Sequence, residues 1–435
     1  MSFFNLISGA GLLLLPFLAW IFSENRRVIN WRVIGWGIAL QLLFACFVFV
    51  IPAGTKIFLV INKAVVVILD SATAGTKFLF GRLALPPGTT NEAGETSLGY
   101  FLAFQALPTI VFFAALVNAL YYLKVMPWLI RGFASFFTRL MKISGAESLC
   151  ASSNMFVGIE SALVVQPYLK EMTRSEMTTI LSAGMGTIAS TVLALYVFTL
   201  QAELPTIAGH LISASFLSVP AAVIMAKLLV PETGEPITLG LKVKPYYQRE
   251  ENLILAIING AQGGLKLLGG IVALLLAFLG IIALLDLVLG YAGGVINNWL
   301  GLNFDFSIKG ILGYLFYPLT LIIGVPPADA LPIAKIIGER TVATEVVAYQ
   351  HLGELMKAGL LHHPRSAIIA SYVLCGFAHI ASLAIFVGGI GALAPTRLKD
   401  ISELGFKALL AATLGCLMTG AVAGLFFHQS TLLFR

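Results

Sequence analysis

Residues Glu147 to Tyr168 read ESLCASSNMFVGIESALVVQPY, and this stretch decides the fold. It sets Ser152, Ser153, Asn154, Gly158, Glu160 and Ser161 inside a chain that is otherwise oily, and Pro167 closes it. A plain membrane-crossing helix needs roughly 20 predominantly apolar residues, and this window is too polar for that. Non-helical backbone at membrane depth is tolerated only where protein or a water-filled cavity satisfies its polar groups. The stretch therefore reads as a re-entrant hairpin. Its two short helical arms meet near Val157-Gly158, with Glu160 at the positive N-terminal end of the second arm.

The rest of the chain supplies the membrane setting such a hairpin requires. Of 435 residues, 58% are hydrophobic and only 11% charged, the balance of a polytopic membrane protein rather than a soluble domain. The formal net charge of +6 is spread through short loops, with no basic run suited to nucleic acid, so no nucleic-acid partner is expected. Cys46, Cys150, Cys375 and Cys416 stand alone in apolar surroundings without metal-ligand spacing and read as packing residues. The first apolar segment, 3–22, has no basic residue before it and no clear small-residue cleavage site after it, unlike a removable signal peptide. Arg26, Arg27 and Arg32 follow, which puts that loop in the cytoplasm and the N-terminus outside.

Read in order, the pattern is that of an all-α polytopic membrane protein with eight transmembrane helices plus two re-entrant hairpins. Spans one and two cover 3–23 and 33–52. Residues 53–80 carry Lys56, Asn62, Lys63, Asp70 and Lys77 at helical spacing against an apolar side, as a helix lying on the external face would. An exposed loop with Pro86-Pro87-Gly88 and Asn91-Glu92 leads to span three, 100–123. Residues 126–143 set Arg131, Arg139 and Lys142 against Trp128 and three phenylalanines, the pattern of an amphipathic interfacial helix. Span four, 176–202, is interrupted by Gly184-Met185-Gly186-Thr187. Span five, 207–229, enters a cytoplasmic loop with Lys242, Lys244 and Arg249, and span six, 252–290, has length for a tilted helix and a surface turn.

The second half repeats the first. Residues 308–324 resemble the interfacial helix, and ADALPIAKIIGERTVATEVVAY at 328–349 resembles the hairpin, polar at Gly338, Glu339, Arg340, Thr341, Thr344 and Glu345. Span seven, 366–392, carries GFAHIAS at 376–382, to be set beside GMGTIAS at 184–190 in span four. A shared Gly and Ile-Ala-Ser behind two hairpins that enter from opposite sides are the trace of inverted repeats, with a binding site where they meet at the midplane. Span eight, 404–427, follows the cytoplasmic Arg397 and Lys399 and leaves the C-terminus outside. The chain thus divides into N-terminal scaffold helices with the external helix (1–99), a first repeat with hairpin 144–169 (100–250) and a second repeat with hairpin 326–352 (251–435).

The chemistry sits in the same places. A carboxylate in hydrocarbon costs at least ~2.5 kcal/mol and marks a ligand or ion path by default, so Glu160 and Glu345 are the first candidates. The structural alternative pairs them with Arg340 or makes them caps of the hairpin arms. Asn154 and Thr187, with carbonyls freed at Val157 and Ile188, offer oxygens suited to a hard cation. Alternatively Asn154 caps the hairpin arm and Thr187 bonds back to its own helix. His379, on the broken span seven, can contact solute or move protons, or bond a backbone carbonyl. Phe377 can stack on a ligand or belong to the core. His362-His363 reads as an exposed loop pair with no specific task. The sequence has no P-loop, HExxH or GxSxG. An intramembrane enzyme built on His379 and a carboxylate would need a nucleophile and base within hydrogen-bond reach, and is the remote alternative to transport.

Six segments resemble the concentrative nucleoside transporter family. They are LPTIVFFAALVNALYYL at 107–123, ASSNMFVG at 151–158, ESALVVQPYL at 160–169, HLISASFLSVPAAVIMAKLLVPET at 210–233, GERTVATEVVAY at 338–349 and CGFAHIASLAIFVGGIGALAP at 375–395. The resemblance implies a homotrimer in a bacterial-type inner membrane, each protomer having a scaffold and an elevator-type transport domain that imports a nucleoside with a cation. It places sodium on Asn154, Val157, Thr187 and Ile188, with a proton as the alternative coupling ion. It places the base-facing glutamate on Glu160, the ribose-facing glutamate on Glu345, a base-packing position on Val192 and further solute-facing positions on Phe377 and Ser382. Where family members typically read Gly-Gln-Thr-Glu at the first tip, this chain reads Gly158-Ile159-Glu160, one residue shorter. His379 stands for a ribose-binding asparagine, and Thr344 for the usual asparagine before the second glutamate. A site built on polar partners loses selectivity when they are deleted, so the solute is expected to be nucleoside-like without being an ordinary uridine-type substrate.

Overall fold

Polar caps, prolines and glycines cut the apolar chain into helices. The computed structural model describes residues 2–91, 94–246 and 250–428; Glu92 and Arg249 of the expected loops lie outside them. The N-terminal part forms α1 (Phe3–Ile21), α2 (Trp31–Phe49, capped by the Asn30 side chain) and α3 (Pro52–Phe80). A short α4 (Leu102–Gln105) and α5 (Thr109–Tyr122) then lead to the amphipathic α6 (Val125–Met141).

The first hairpin begins where Ser144 and Glu147 form a capping box, each side chain bonding the other's backbone N–H, and opens α7 (Gly145–Ser153). After a turn over 154–158 the chain returns as a 3-10 helix, Ile159–Tyr168, so the second arm is more tightly wound than an α-helix. A second capping box, Thr173 with Glu176, opens α8 (Arg174–Gly186). The expected interruption of span four falls at Thr187–Ala189, before α9 (Ser190–Leu200). Then come α10 (Ile207–Leu229) and α11 (Leu253–Leu300).

In the second half, α12 (Ile308–Ile322) packs along α13 (Pro327–Val342), and α13 with α14 (Glu345–Lys357) makes the second hairpin. Span seven is divided into α15 (Pro364–Leu374) and α16 (Ile380–Leu393), and α17 (Leu398–Phe426) completes the described chain.

Three expectations change. Span six contains no surface turn: α11 is one uninterrupted helix of 48 residues, about 72 Å at 1.5 Å per residue against roughly 30 Å of hydrocarbon. Span seven is two pieces of 11 and 14 residues, each too short to cross alone. Residues 53–80, read as a helix on the external face, form part of a segment whose length and composition also suffice for a crossing. Eight helices among the described residues are long and apolar enough to cross a membrane, and α3 is counted with them in place of the divided span seven. The broken helix α8/α9, α10 and α17 are the buried centre, whereas the most apolar window of α11 has none of its residues buried.

Candidate functional site

Both helix breaks lie side by side in that centre. A side chain at Gly376 would come within 2.9 Å of the Gly186 carbonyl oxygen, so glycine is what lets the two breaks cross so closely. The first break is also stitched to the first hairpin: the Ser190 N–H donates to the Phe156 carbonyl at 3.1 Å. Where a helix stops in mid-core, carbonyls and N–H groups are released without intrahelical partners, and polar side chains gather there.

One cavity of about 120 Å³ collects all eight residues expected to face a solute. Hairpin one contributes Gly158 and Glu160; hairpin two contributes Thr344 and Glu345. Val192 comes from α9, while Phe377, His379 and Ser382 come from the second break and the start of α16. Both glutamates sit in the first turn of their second arms, where the helix dipole favours negative charge.

Their surroundings differ. Glu345 is 4% exposed. Its Oε1 accepts a 2.6 Å hydrogen bond from the Tyr196 hydroxyl, and its Oε2 lies 2.9 Å from His379 Nε2. His379 Nδ1 accepts from the Ser382 N–H at 3.1 Å, completing a cap for α16. That bond leaves Nε2 as the protonated nitrogen facing Glu345. Tyr196 is stacked on Tyr349 at 4.5 Å between ring centroids, and the Tyr349 hydroxyl donates to the Ser371 carbonyl. Glu160, by contrast, is exposed and has no hydrogen bond or ion pair among the described residues. It stands on the threshold between the small cavity and a wider one of about 500 Å³.

The residues weighed as ion ligands lie at the first break and the adjoining hairpin turn. Asn154 Oδ1 accepts from the Ser161 hydroxyl at 2.8 Å, and its Nδ2 donates to the Cys150 carbonyl. The Thr187 hydroxyl donates to the Ala183 carbonyl at 2.8 Å, the back-bond weighed as its structural alternative, which leaves oxygen lone pairs available. Among the described residues no backbone N–H donates to the carbonyls of Val157, Thr187 or Ile188. Such a set of neutral oxygens fits a hard monovalent cation.

Arg340, weighed as a partner for the glutamates, pairs with neither. It is fully buried and donates to the Val373 carbonyl at 2.6 Å, at the C-terminal end of α15. Glu339 faces away from the cavity, held by Lys309 at 2.8 Å and His351 at 2.6 Å. The His362-His363 pair has a definite partner after all: both backbone N–H groups and the His363 ring meet the buried carboxylate of Asp329. Glu147, the acid that opens the first hairpin, forms a buried ion pair with Lys227 at 2.5 Å.

Sequence reasoning missed Tyr196 and Lys227. A tyrosine in an apolar helix is ordinary, and nothing local ties it to a carboxylate 149 positions away. Lys227 was legible as a charge inside span five, but its partner lies at the base of a different element.

This arrangement defines a class: a polytopic membrane carrier in which two inverted repeats enclose a polar site between broken helices and hairpin tips. Residues 10–83, 103–203 and 210–424 match in turn the families described as "Na+ dependent nucleoside transporter N-terminus", "Nucleoside recognition" and "Na+ dependent nucleoside transporter C-terminus". The chain is 35% identical to "Nucleoside permease NupC" of Helicobacter pylori over 98% of its own length and 99% of that protein. It is 36% identical to mouse "Solute carrier family 28 member 3" over 97% of its own length, while spanning only 59% of that longer protein. Its fold superposes on CNTnw in an inward-facing substrate-bound state with a TM-score of 0.87, at 34% identity, covering 97% of this chain and 98% of the other. The chain belongs to the concentrative nucleoside transporter family, whose members are membrane transporters and not enzymes.

Proposed function

We propose that this protein imports a nucleoside or nucleoside-like solute by sodium-coupled symport. The observation that carries the reading is the meeting of Gly158 and Glu160 with Thr344 and Glu345 in one cavity between the two helix breaks. Hairpins from opposite leaflets that share a cavity can each close one side of it, which is what alternating access requires. Thr344 Oγ1 is buried there without a partner, a polar group left for a ligand to satisfy. Sodium sits on Asn154, Val157, Thr187 and Ile188, so ion and solute share hairpin one and its neighbouring break. The working unit is a homotrimer in a bacterial-type inner membrane with both termini outside, and the hairpins and broken helices move as an elevator against a scaffold.

Vesicles loaded with purified protein test this: an inward sodium gradient should concentrate labelled nucleoside, and its removal should abolish accumulation. Thr187→Val should raise the sodium concentration for half-maximal uptake by about tenfold, the equivalent of one lost oxygen contact. Unchanged sodium dependence would remove Thr187 from the ion site. A second reading, proton coupling, draws on the His379–Glu345 pair at the cavity wall, since an imidazole beside a carboxylate can take up and release a proton. Accumulation driven by acidification, indifferent to sodium, would favour it.

A further inference from the structure

We infer that the wide chamber next to Glu160 is a second room of the same site, which receives a flat, non-anionic arm carried on the base of a nucleoside. The inference rests on the nucleoside reading above and adds the kind of nucleoside. Small-molecule sites usually begin near ~300 Å³. The inner cavity of about 120 Å³ lies well below that, so it does not enclose a sugar and its base together. The chamber beside it measures about 500 Å³, and the two share Gly158, Glu160, Thr191 and Leu267 as walls. A sugar held at Glu345, His379 and Ser382 therefore sends its base past Val192 to the threshold at Glu160. Whatever the base carries on its far edge enters the chamber.

The chamber is furnished for such an arm. Tyr121 and Tyr246 offer aromatic faces, and the Tyr246 N–H donates to the Val164 carbonyl at 2.9 Å, fixing that loop against the second arm of hairpin one. Asn118 and Gln166 line the chamber with side chains that have no protein hydrogen-bond partner among the described residues. On the opposite side Gly263 of α11 leaves a flat floor: a side chain there would meet nothing within 4 Å. The charge is one-sided. Glu160 and Glu250 line the chamber and, among the described residues, no lysine, arginine or histidine does, so an anionic arm is repelled while a neutral one is admitted.

The test compares adenosine, N6-benzyladenosine and N6-(4-carboxybenzyl)adenosine by calorimetry on the purified full chain with sodium present. The benzyl compound should bind about tenfold more tightly than adenosine, from stacking in the chamber, and the carboxybenzyl compound at least about tenfold more weakly than the benzyl one. A Cβ at Gly263 meets nothing within 4 Å, so Gly263→Leu adds bulk to the chamber floor. It should weaken the benzyl compound by at least about tenfold and adenosine by a smaller factor, and Gln166→Ala should act in the same direction. Equal binding of all three compounds, or rejection of the benzyl compound while adenosine binds, overturns the second room. If no nucleoside binds, the nucleoside reading itself fails, and this inference with it.

Discussion

The two hairpins share a plan and differ in where they are fastened. Hairpin one is tied at its base: Glu147 meets Lys227, and the Gly145 and Ala146 N–H groups donate to the Thr238 carbonyl and hydroxyl. Its tip meets the first break through the Ser190–Phe156 backbone bond, while Glu160 itself is exposed and unpaired among the described residues. Hairpin two is fastened at both ends. Asp329 at its base gathers the loop over His362 and His363, while near its tip Arg340 holds Val373 and Glu345 is held by Tyr196 with His379 beside it. A doubly fastened carboxylate is pre-organised for a partner that must be met in one geometry; a free one adapts to what arrives. The comparison casts hairpin two as the fixed wall of the site and hairpin one as its adjustable door.

Four variants can break or sharpen that contrast. Lys227→Met should have the largest effect, since it leaves Glu147 buried without its cation at the base of hairpin one. The expected loss is about 3 kcal/mol or more of stability, read by denaturant or thermal unfolding in detergent. A stability unchanged within about 0.5 kcal/mol would show that hairpin one is held elsewhere. Glu345→Gln should lower nucleoside uptake by about a hundredfold, through two weakened charge-assisted contacts, in a protein that still elutes as the native assembly. Normal uptake would remove Glu345 from the site. Tyr196→Phe keeps the stack on Tyr349 and deletes one hydrogen bond to Glu345, so solute affinity should fall by about tenfold without loss of folding. Glu160→Gln should cost least, about threefold in affinity, because a solvated carboxylate gains little from a single contact. If Glu160→Gln equals Glu345→Gln in effect, the division into wall and door is wrong.

Much of the architecture was legible because a bilayer imposes a severe rule: polar residues in a long apolar chain must be hidden or used. Ser152 through Ser161 and Gly338 through Glu345 announced the hairpins for that reason, and the glycines at 184–186 and 376 announced the breaks. Of the cavity's residues, Gly158, Glu160, Thr344, Glu345, Phe377 and His379 stood out because they lie at those interruptions, whereas Val192 and Ser382 were named by the family resemblance. What could not be read was which polar residues serve the fold. Arg340 and Glu339 sit within a few positions of Glu345, yet one is spent on a helix end and the other on Lys309 and His351. Helix continuity was also hidden in places. Nothing in the composition of residues 253–300 says that they form one helix instead of a helix and a turn, because both bury apolar side chains equally well.

The sequence by itself determined that the protein is a membrane carrier with two polar hairpins and two interrupted helices, since period, polarity and length are local properties that a bilayer filters strictly. Only the tertiary structure decided that Tyr196 steadies Glu345, that Lys227 answers Glu147, and that Glu160 opens onto a second chamber of about 500 Å³. Those are facts of distance between elements far apart in the chain, and a partner 149 residues away leaves no mark on local spacing.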